Sequence, residues 1–456
     1  MEKELLAEEI SQYIEDRRLG DLRDRLTEEN PTDLAEFFDG MSKERLVLLY
    51  RILPKELAAE VFVEMSSDEQ EMLINSFSDY ELKQIIDELY TDDTADIIEE
   101  MPASVVRRIL AAADPAMRRA VNELLKYPED STGSIMTTEY VAIRQHMSVQ
   151  ESLDYIRLVA TDKETVYTLY VIDENRRLLG SVTAKELLIS PTDTKIEDIM
   201  DSRVIAAETM TDREEVARMF DRYHLIALPV TDKEGRLVGI VTVDDAIDVI
   251  HEETEEDFAK MAAITPTDES YIKTSVFEIF RTRIPWLLIL MISATFTGLI
   301  ISAFESALAA SVVLTSFIPM LMDTGGNSGS QASVTVIRGL SLGEITFSDA
   351  LHVLLKELRV ALMCGLALAI VAFAKLQLLD RLLLGNEAVT LTVSVIVCLT
   401  LFVTVLCAKI IGGLLPILAK RVGFDPAVMA SPFITTCVDA ISLIVYFTVA
   451  SSFLPI

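Results

Sequence analysis

Apolar residues recur in pairs every 12 positions along the N-terminal part of the chain. The pairs are Phe37/Phe38, Leu49/Tyr50, Val61/Phe62, Leu73/Ile74, Ile85/Ile86, Ile97/Ile98 and Ile109/Leu110. Three or four residues after each stands another: Met41, Leu53, Met65, Phe77, Leu89, Met101 or Ala113. A short regular period means stacked units that bury one continuous core. Pro31, Pro54, Pro102 and Pro115 punctuate it, so the pattern predicts short helices joined by turns, an all-α superhelix. A different pattern follows. "YVIDENRRLLGSVTAKEL" at 170–187 matches "PVTDKEGRLVGIVTVDDA" at 229–246, an offset of 59. Each copy reads strand, turn, strand, with β-rich alternation ending at Thr183 or Thr242 before a helix starts. Each is preceded by Ile-Met (Ile135/Met136, Ile199/Met200), a strand and a helix.

Beyond Arg283 the pattern becomes apolar. Residues 284–304 and 388–408 carry no charge, and in 427–456 the only charge is Asp439. About 20 apolar residues cross a hydrocarbon core. Two less uniform segments, 307–336 (interrupted by "DTGGNSGSQ") and 350–374, complete five expected membrane spans. Charge sharpens the division. Eight Lys/Arg and nine Asp/Glu lie from position 284 onward, leaving 32 and 63 before it, so −31 of the net −32 falls ahead of that position. Such a surface repels nucleic acid and attracts cations, or simply keeps the protein soluble. Arg281/Arg283, Arg338/Lys356/Arg359 and Lys420/Arg421 fall on the N-terminal side of the spans, against Lys375 and Arg381 opposite. Basic loops face the cytoplasm, so the acidic half is expected inside and the C-terminus outside. The start, "MEKELLAEEI", does not read as a signal peptide.

The candidate chemistry is concentrated in the spans. A carboxylate at mid-membrane costs a few kcal/mol and is a functional hypothesis by default. Asp439 lies in a stripe of Ser431, Thr435, Asp439, Ser442 and Tyr446, spaced as one helical face. The competing reading is an Asp satisfied by Lys409 or Arg338. The "MDTGGNSGSQAS" segment (322–333) suggests irregular backbone, tolerated at membrane depth only against protein or water, or a small-residue packing face. Asn327, Gln331 and free carbonyls would supply oxygen ligands, which suit Mg²⁺ or Ca²⁺. "GNSG" (326–329) also fits an intramembrane serine protease, but the only histidine in this half is His352, near Lys356 and Arg359, and no HExxH exists. A sensory protein with a passive membrane anchor would not need the stripe. Between the halves, Asp245, Asp248, Glu253, Glu256 and Asp257 spread over one helix with little basic compensation in sequence. That is either a solvated face or a divalent-ion sensor.

The 59-residue repeat resembles a pair of cystathionine-β-synthase (CBS) domains, which usually bind adenine nucleotides such as ATP in the cleft between repeats or serve only as dimerising regulators. The ribose-binding T-x-x-D stands at Thr242–Asp245, whereas the first copy has Glu186 after Thr183. Taken together, the superhelix, the CBS pair and spans bearing "GGNSGSQ" and "TTCVDA" resemble the MgtE family of magnesium channels over essentially the whole chain. The resemblance implies a superhelix at 1–130, CBS domains at 131–195 and 196–250, a connecting helix at 251–280 and five spans at 281–456. It implies a homodimer in a bacterial inner membrane, Mg²⁺ as the ion and no enzymatic activity. Asp439 would be the pore site, helped by the Thr435 carbonyl and Asn327, with Glu305 at the outer mouth. Cytosolic Mg²⁺ would bridge Asp92, Asp96, Asp245, Asp248, Glu253, Glu256, Asp257 and Asp425 and close the pore. Ser442 stands where the family has glycine. An ion-coupled exchanger of the same ancestry remains the alternative.

Overall fold

In the computed structural model, each unit of the N-terminal pattern is one short helix. The structure describes residues 9–10, 12–267, 271–272, 274–305 and 311–453. Parts of the expected superhelix (1–8, 11), connecting helix (268–270, 273), second span (307–310) and last span (454–456) therefore lie outside the described residues. Helices Pro31–Phe38, Lys43–Tyr50, Lys55–Val63, Ser67–Ile74 and Asp79–Ile86 are followed by α1 (Thr91–Glu100) and by Ala103–Ala112 and Pro115–Leu124. Their starts, from Pro31 to Pro115, keep the period of the apolar pairs. The pairs close the helices, and all but Leu110 are buried. Turn chemistry sets the starts. Asn30, Ser78 and Asp114 accept backbone N–H bonds at the first turn, and Ser66–Glu69 and Ser78–Glu81 form capping boxes.

Two three-stranded sheets follow. β1 (Ala142–Arg144) pairs parallel with β2 (Thr168–Ile172), which pairs antiparallel with β3 (Leu178–Thr183). β4 (Ala207–Glu208), β5 (Ala227–Thr231) and β6 (Leu237–Thr242) repeat that order. The offset of 59 carries over to register: Thr168 faces Thr183 and Ala227 faces Thr242, and both hairpins shift register at equivalent residues, Val171/Ile172 and Val230/Thr231. Thr183 and Thr242 cap the helices that leave the sheets, through Glu186 and Asp245. Superhelix and second repeat share one core, in which Met136, Val216, Phe220 and Leu228 join the helical apolar residues.

The chain divides into two units, Met1–Ile250 and His251–Ile456. Helix α2 (Val243–Met261) spans the division. It ends at Met261, and among the described residues the next helix begins at Val276. The second unit contains α3 (Val276–Ala303), α4 (Ile318–Ser341), α5 (Ala350–Ala374), α6 (Leu391–Val422) and α7 (Ser431–Phe453). Four stretches, Val276–Ala303, Phe347–Leu383, Leu391–Val422 and Pro426–Phe453, are long and apolar enough to cross a membrane. The glycine-bearing α4 is not among them by composition, although its 24 residues reach about 36 Å.

Helix α4 corrects an expectation. The 322–333 segment is continuous α-helix, not irregular backbone. Its glycines let neighbouring helices approach. A Cβ on Gly325 would lie 2.6 Å from Thr404 of α6 and 2.9 Å from Ser442 of α7. One on Gly412 of α6 would lie 2.2 Å from the Gly329 carbonyl oxygen. Small residues at helix crossings replace the hydrophobic drive that lipid cannot supply. The packing-face reading holds.

Candidate functional site

Within the first unit, α1 opens with Thr91, Asp92 and Asp93, and the superhelix packing turns this end toward the CBS repeats. Asp92 is 6% exposed, and its Oδ1 is enclosed without a hydrogen-bond partner. Glu164, just before β2, likewise has an enclosed, unpartnered Oε2. Asp245, at the start of α2, accepts from the Thr242 hydroxyl and, at 3.2 Å, from its amide. Glu139 is better satisfied, by the hydroxyls of Thr91 (2.6 Å) and Thr137 (2.7 Å). Among the described residues, no Lys or Arg pairs with Asp92, Asp93, Asp96, Glu164 or Asp245.

A group of buried carboxylates without counter-charge resists ionisation. Burial, then the charges of Asp245, Asp93 and Glu164, hold Asp92 well above the ordinary carboxylate range. Burial pushes Asp93 up to about 6. Asp96 stands at the exposed rim, where crowding by the protein and the charges of Asp245 and Asp93 push it up to about 8. Burial, with Asp93, Asp244 and Asp245, pushes Glu164 up to about 8. Burial lifts Asp245 to about 7 against the lowering bonds from Thr242. Such a cluster either takes up protons or takes up a cation.

The charge of Asp245 thus bears on both Asp92 and Asp96, although among the described residues no three such side chains stand close enough to hold a metal ion between them. The sequence reading missed Asp93, Glu139 and Glu164. Asp93 carried a weak signal, as neighbour of Asp92, but nothing in sequence connects 164 with 92. Thr242–Asp245 is a capping pair facing the acids, the second member of a motif that Thr183–Glu186 repeats.

The second acidic group lies within the other unit, at the end of α2. Contrary to expectation, it is compensated. Lys260 Nζ pairs with Glu256 and, at 2.7 Å, with Asp425, and Asp257 Oδ2 accepts from Ser341 at 2.8 Å. Burial raises the Asp257 carboxyl. Burial lowers Lys260, but the bonds to Asp425 and Glu256 outweigh it and leave the ammonium above its ordinary value. Asp425 also caps the turn that enters α7, accepting from Ala427 N at 2.8 Å. On α2, Asp248 is exposed and Glu253 half-buried.

Among the apolar helices, Asp439 is half-buried on α7, and its Oδ1 is enclosed without a partner. Among the described residues no ion pair joins it to Lys409 or Arg338. Lys409, 4% exposed, instead points its Nζ at the Ser328 carbonyl oxygen, 3.5 Å away. The expected polar stripe divides. Ser442 and Tyr446 are buried and bond to the Val438 and Leu314 carbonyls at 2.7 and 2.9 Å. Thr435 and Asp439 stay partly open. Asn327 is exposed on α4, as is Asp323 one turn before it, and Glu305 is exposed just past α3. Ser328 is buried.

Comparison with known proteins follows the same division. Residues 318–449 match the model of a divalent cation transporter family, MgtE; residues 29–130 match the MgtE intracellular N domain, and 133–191 and 196–252 match CBS domains. The chain is 36% identical over 452 residues to a magnesium transporter, MgtE, of Thermus thermophilus, covering 98% of each. It is 32% identical over 442 residues to that of Bacillus subtilis, covering 97% of this chain and 96% of the relative. The crystal structure of the cytosolic domain of the Mg²⁺ channel MgtE with ATP aligns at TM-score 0.50 and 39% identity, covering 53% of this chain and 98% of that one. The soluble part of a magnesium transporter aligns at TM-score 0.52 and 28% identity, covering 55% and 99%.

Proposed function

Because the chain belongs to the MgtE family of magnesium transporters, we propose that it is a Mg²⁺ channel closed by cytosolic Mg²⁺. The observation that carries the closing role is Asp92, a buried carboxylate with an unpartnered oxygen among like charges. Two carboxylates about 4 Å apart repel by roughly 4 kcal/mol at an effective dielectric near 20. A divalent ion replaces that repulsion with bridging and so favours the compact arrangement, as any ligand favours the state that binds it better. The sensing residues are Asp92, Asp96 and Asp245, extended to Asp93 and Glu164. At the end of α2, Asp257, Glu256 and Asp425 form a second site in which Lys260 stands in for the cation. Asp248 and Glu253 complete the set.

Conduction is assigned to Asp439, Thr435 and Asn327, with Glu305 at the outer mouth. The support is the enclosed, unpartnered Oδ1 of Asp439 in an apolar helix. Two copies related by a two-fold axis would face their Asp439 carboxylates across one path, with five spans per copy. The proposed divisions are 1–130, 131–195, 196–250, 251–280 and 281–456, with the first half in the cytosol and the C-terminus outside. An inside-negative potential supplies roughly 2.3 kcal/mol per charge per 100 mV, twice that for Mg²⁺, so no coupled ion is required. The CBS pair is also proposed to take an adenine nucleotide. A cavity of about 320 Å³ on the first repeat, lined by Arg144, Arg176 and Tyr155, supports an anionic ligand.

The test is patch recording of the reconstituted full chain while cytosolic Mg²⁺ is varied. Flux at low Mg²⁺ and closure when it is replete are expected. Neutralising Asp248, Glu253 and Asp257 together should leave conduction intact and demand more Mg²⁺ for closure. Closure at the wild-type concentration would reduce these acids to a solvated helix face. Currents that follow an Na⁺ or H⁺ gradient would favour the exchanger.

A further inference from the structure

Helices α4 and α7 pack antiparallel through the α4 glycines. A Cβ on Gly325 would lie 2.9 Å from Ser442 and 3.0 Å from Val438; one on Gly326 would lie 2.8 Å from Thr435; one on Gly329 would lie 2.7 Å from Ile434. Moving up one helix is moving down the other. At a rise of ~1.5 Å per residue, this register puts Asp439 at a height between Asp323 and Asn327, within about 3 Å of each along the axis. Asp323 and Asn327 are four positions apart, so they share one face of α4, and both are exposed in the single chain. The glycines bring the two helices close together along this register.

An acid exposed partway along a membrane-buried helix must be covered by water or protein. Asp323 has no ion pair among the described residues. Asp439, its neighbour in height, has a carboxylate oxygen that is sealed and accepts nothing. Hydroxyls that would satisfy the pair are engaged elsewhere: Ser442 with Val438, and Tyr446 with Leu314. What the two acids and the Asn327 amide share is oxygen, the ligand atom a hydrated Mg²⁺ takes, directly or through its waters.

We propose that Asp323 is a second carboxylate of the ion path, acting with Asn327 and Asp439 on one hydrated divalent cation. This rests on the assignment of Asp439 to the path and goes beyond it. Asp323 contributes charge, through the ion's water shell, to the concentration of Mg²⁺ at the site. Its role is attraction and discrimination against monovalent ions, because the gain from each added carboxylate scales with the ion's charge.

The test uses the full chain in liposomes and measures Mg²⁺ flux against Mg²⁺ concentration, and monovalent leak without divalents. D323N should raise the half-saturating Mg²⁺ concentration about tenfold, a change of about 1.4 kcal/mol, and should raise the Mg²⁺ needed to block the leak in proportion. D323E should restore both. D439A should abolish Mg²⁺ flux. Wild-type half-saturation and block in D323N, with D439A inactive, would overturn the role of Asp323 and leave the Asp439 path standing. Wild-type flux in D439A would bring down the path itself and this inference with it. If D323N is not monodisperse, D323S carries the same comparison. A loss of maximal flux with unchanged half-saturation and block would mark a packing role and also refute the proposal.

Discussion

Replacing Asp92 by Asn should stabilise the first unit without Mg²⁺ and remove most of its response to Mg²⁺. The enclosed Oδ1 has no partner, and the side chain is 6% exposed. Leaving a buried polar group unsatisfied costs about 1–3 kcal/mol, more when it is charged. One neighbouring carboxylate at ~5 Å adds roughly 3 kcal/mol at an effective dielectric of 20. Partial protonation of the group and local water offset much of that sum, so about 2 kcal/mol is a reasonable gain for Asp92→Asn at pH 8. For a unit of this size, 1 kcal/mol moves the midpoint by roughly 2–4 °C, which predicts a rise of about 4–8 °C in EDTA. In the wild type, Mg²⁺ at a hundredfold over its Kd adds about 2.7 kcal/mol, or ~5–11 °C, and Asp92→Asn should keep less than half of that. The sign with pH follows from the raised carboxyls: Asp93 at about 6, Asp245 at about 7, Asp96 and Glu164 at about 8. These values exceed those of the unfolded chain, so the folded unit holds extra protons between roughly pH 4 and 8. Its stability in EDTA is therefore greatest at the low end of that window and falls as pH rises through it. The benefit of Mg²⁺ grows in the same direction. Thermal melts of residues 1–250, at pH 5 to 8 with EDTA or Mg²⁺, check this. An EDTA midpoint that rises with pH across the window, or an Asp92→Asn variant with the wild-type Mg²⁺ increment, would refute the reasoning.

Other perturbations probe the second unit. Lys260→Gln frees Glu256 and Asp425 from their ammonium partner, so closure recorded by patch clamp should need several-fold less Mg²⁺; an unchanged requirement would mean the pairs are only structural. Asp439→Ala removes a half-buried charge from an apolar helix, so the variant should stay monodisperse in detergent while liposome flux of Mg²⁺ is lost, and near-normal flux would sink the assignment. Gly412→Ala drives a methyl to 2.2 Å from the Gly329 carbonyl, where backbone cannot yield. Overpacking costs about 1–3 kcal/mol and more when backbone must move, so yield and melting temperature of the purified protein should fall sharply, and a wild-type melt would refute the close crossing.

What could be read from the chain was whatever repeats or closes locally. The short N-terminal period reports which residues each turn of superhelix buries, so the helices, their starts and their core followed from apolar pairs such as Leu73/Ile74. The offset of 59 carried the strands down to equivalent bulges, because hairpin register depends on residues within one short stretch. Apolar length marked the runs at 284–304, 388–408 and 427–456, and of the five spans expected four stretches are long and apolar enough to cross a membrane. Tertiary packing decided the rest. Glycines favour both loops and close helix crossings, and only the partners opposite Gly325 and Gly412 make "GGNSG" a helix. Ser442 and Tyr446 share a helical spacing with Asp439, yet they are turned to neighbouring carbonyls that the spacing does not reveal. Lys260 reaches Glu256 within one helix, but its other partner, Asp425, comes from the far end of the chain. Asp92, Glu164 and Asp245 come from one helix start, a loop and a second helix start. No local propensity relates them, and their charges repel, so only the burial of apolar surface around them holds the three carboxylates together.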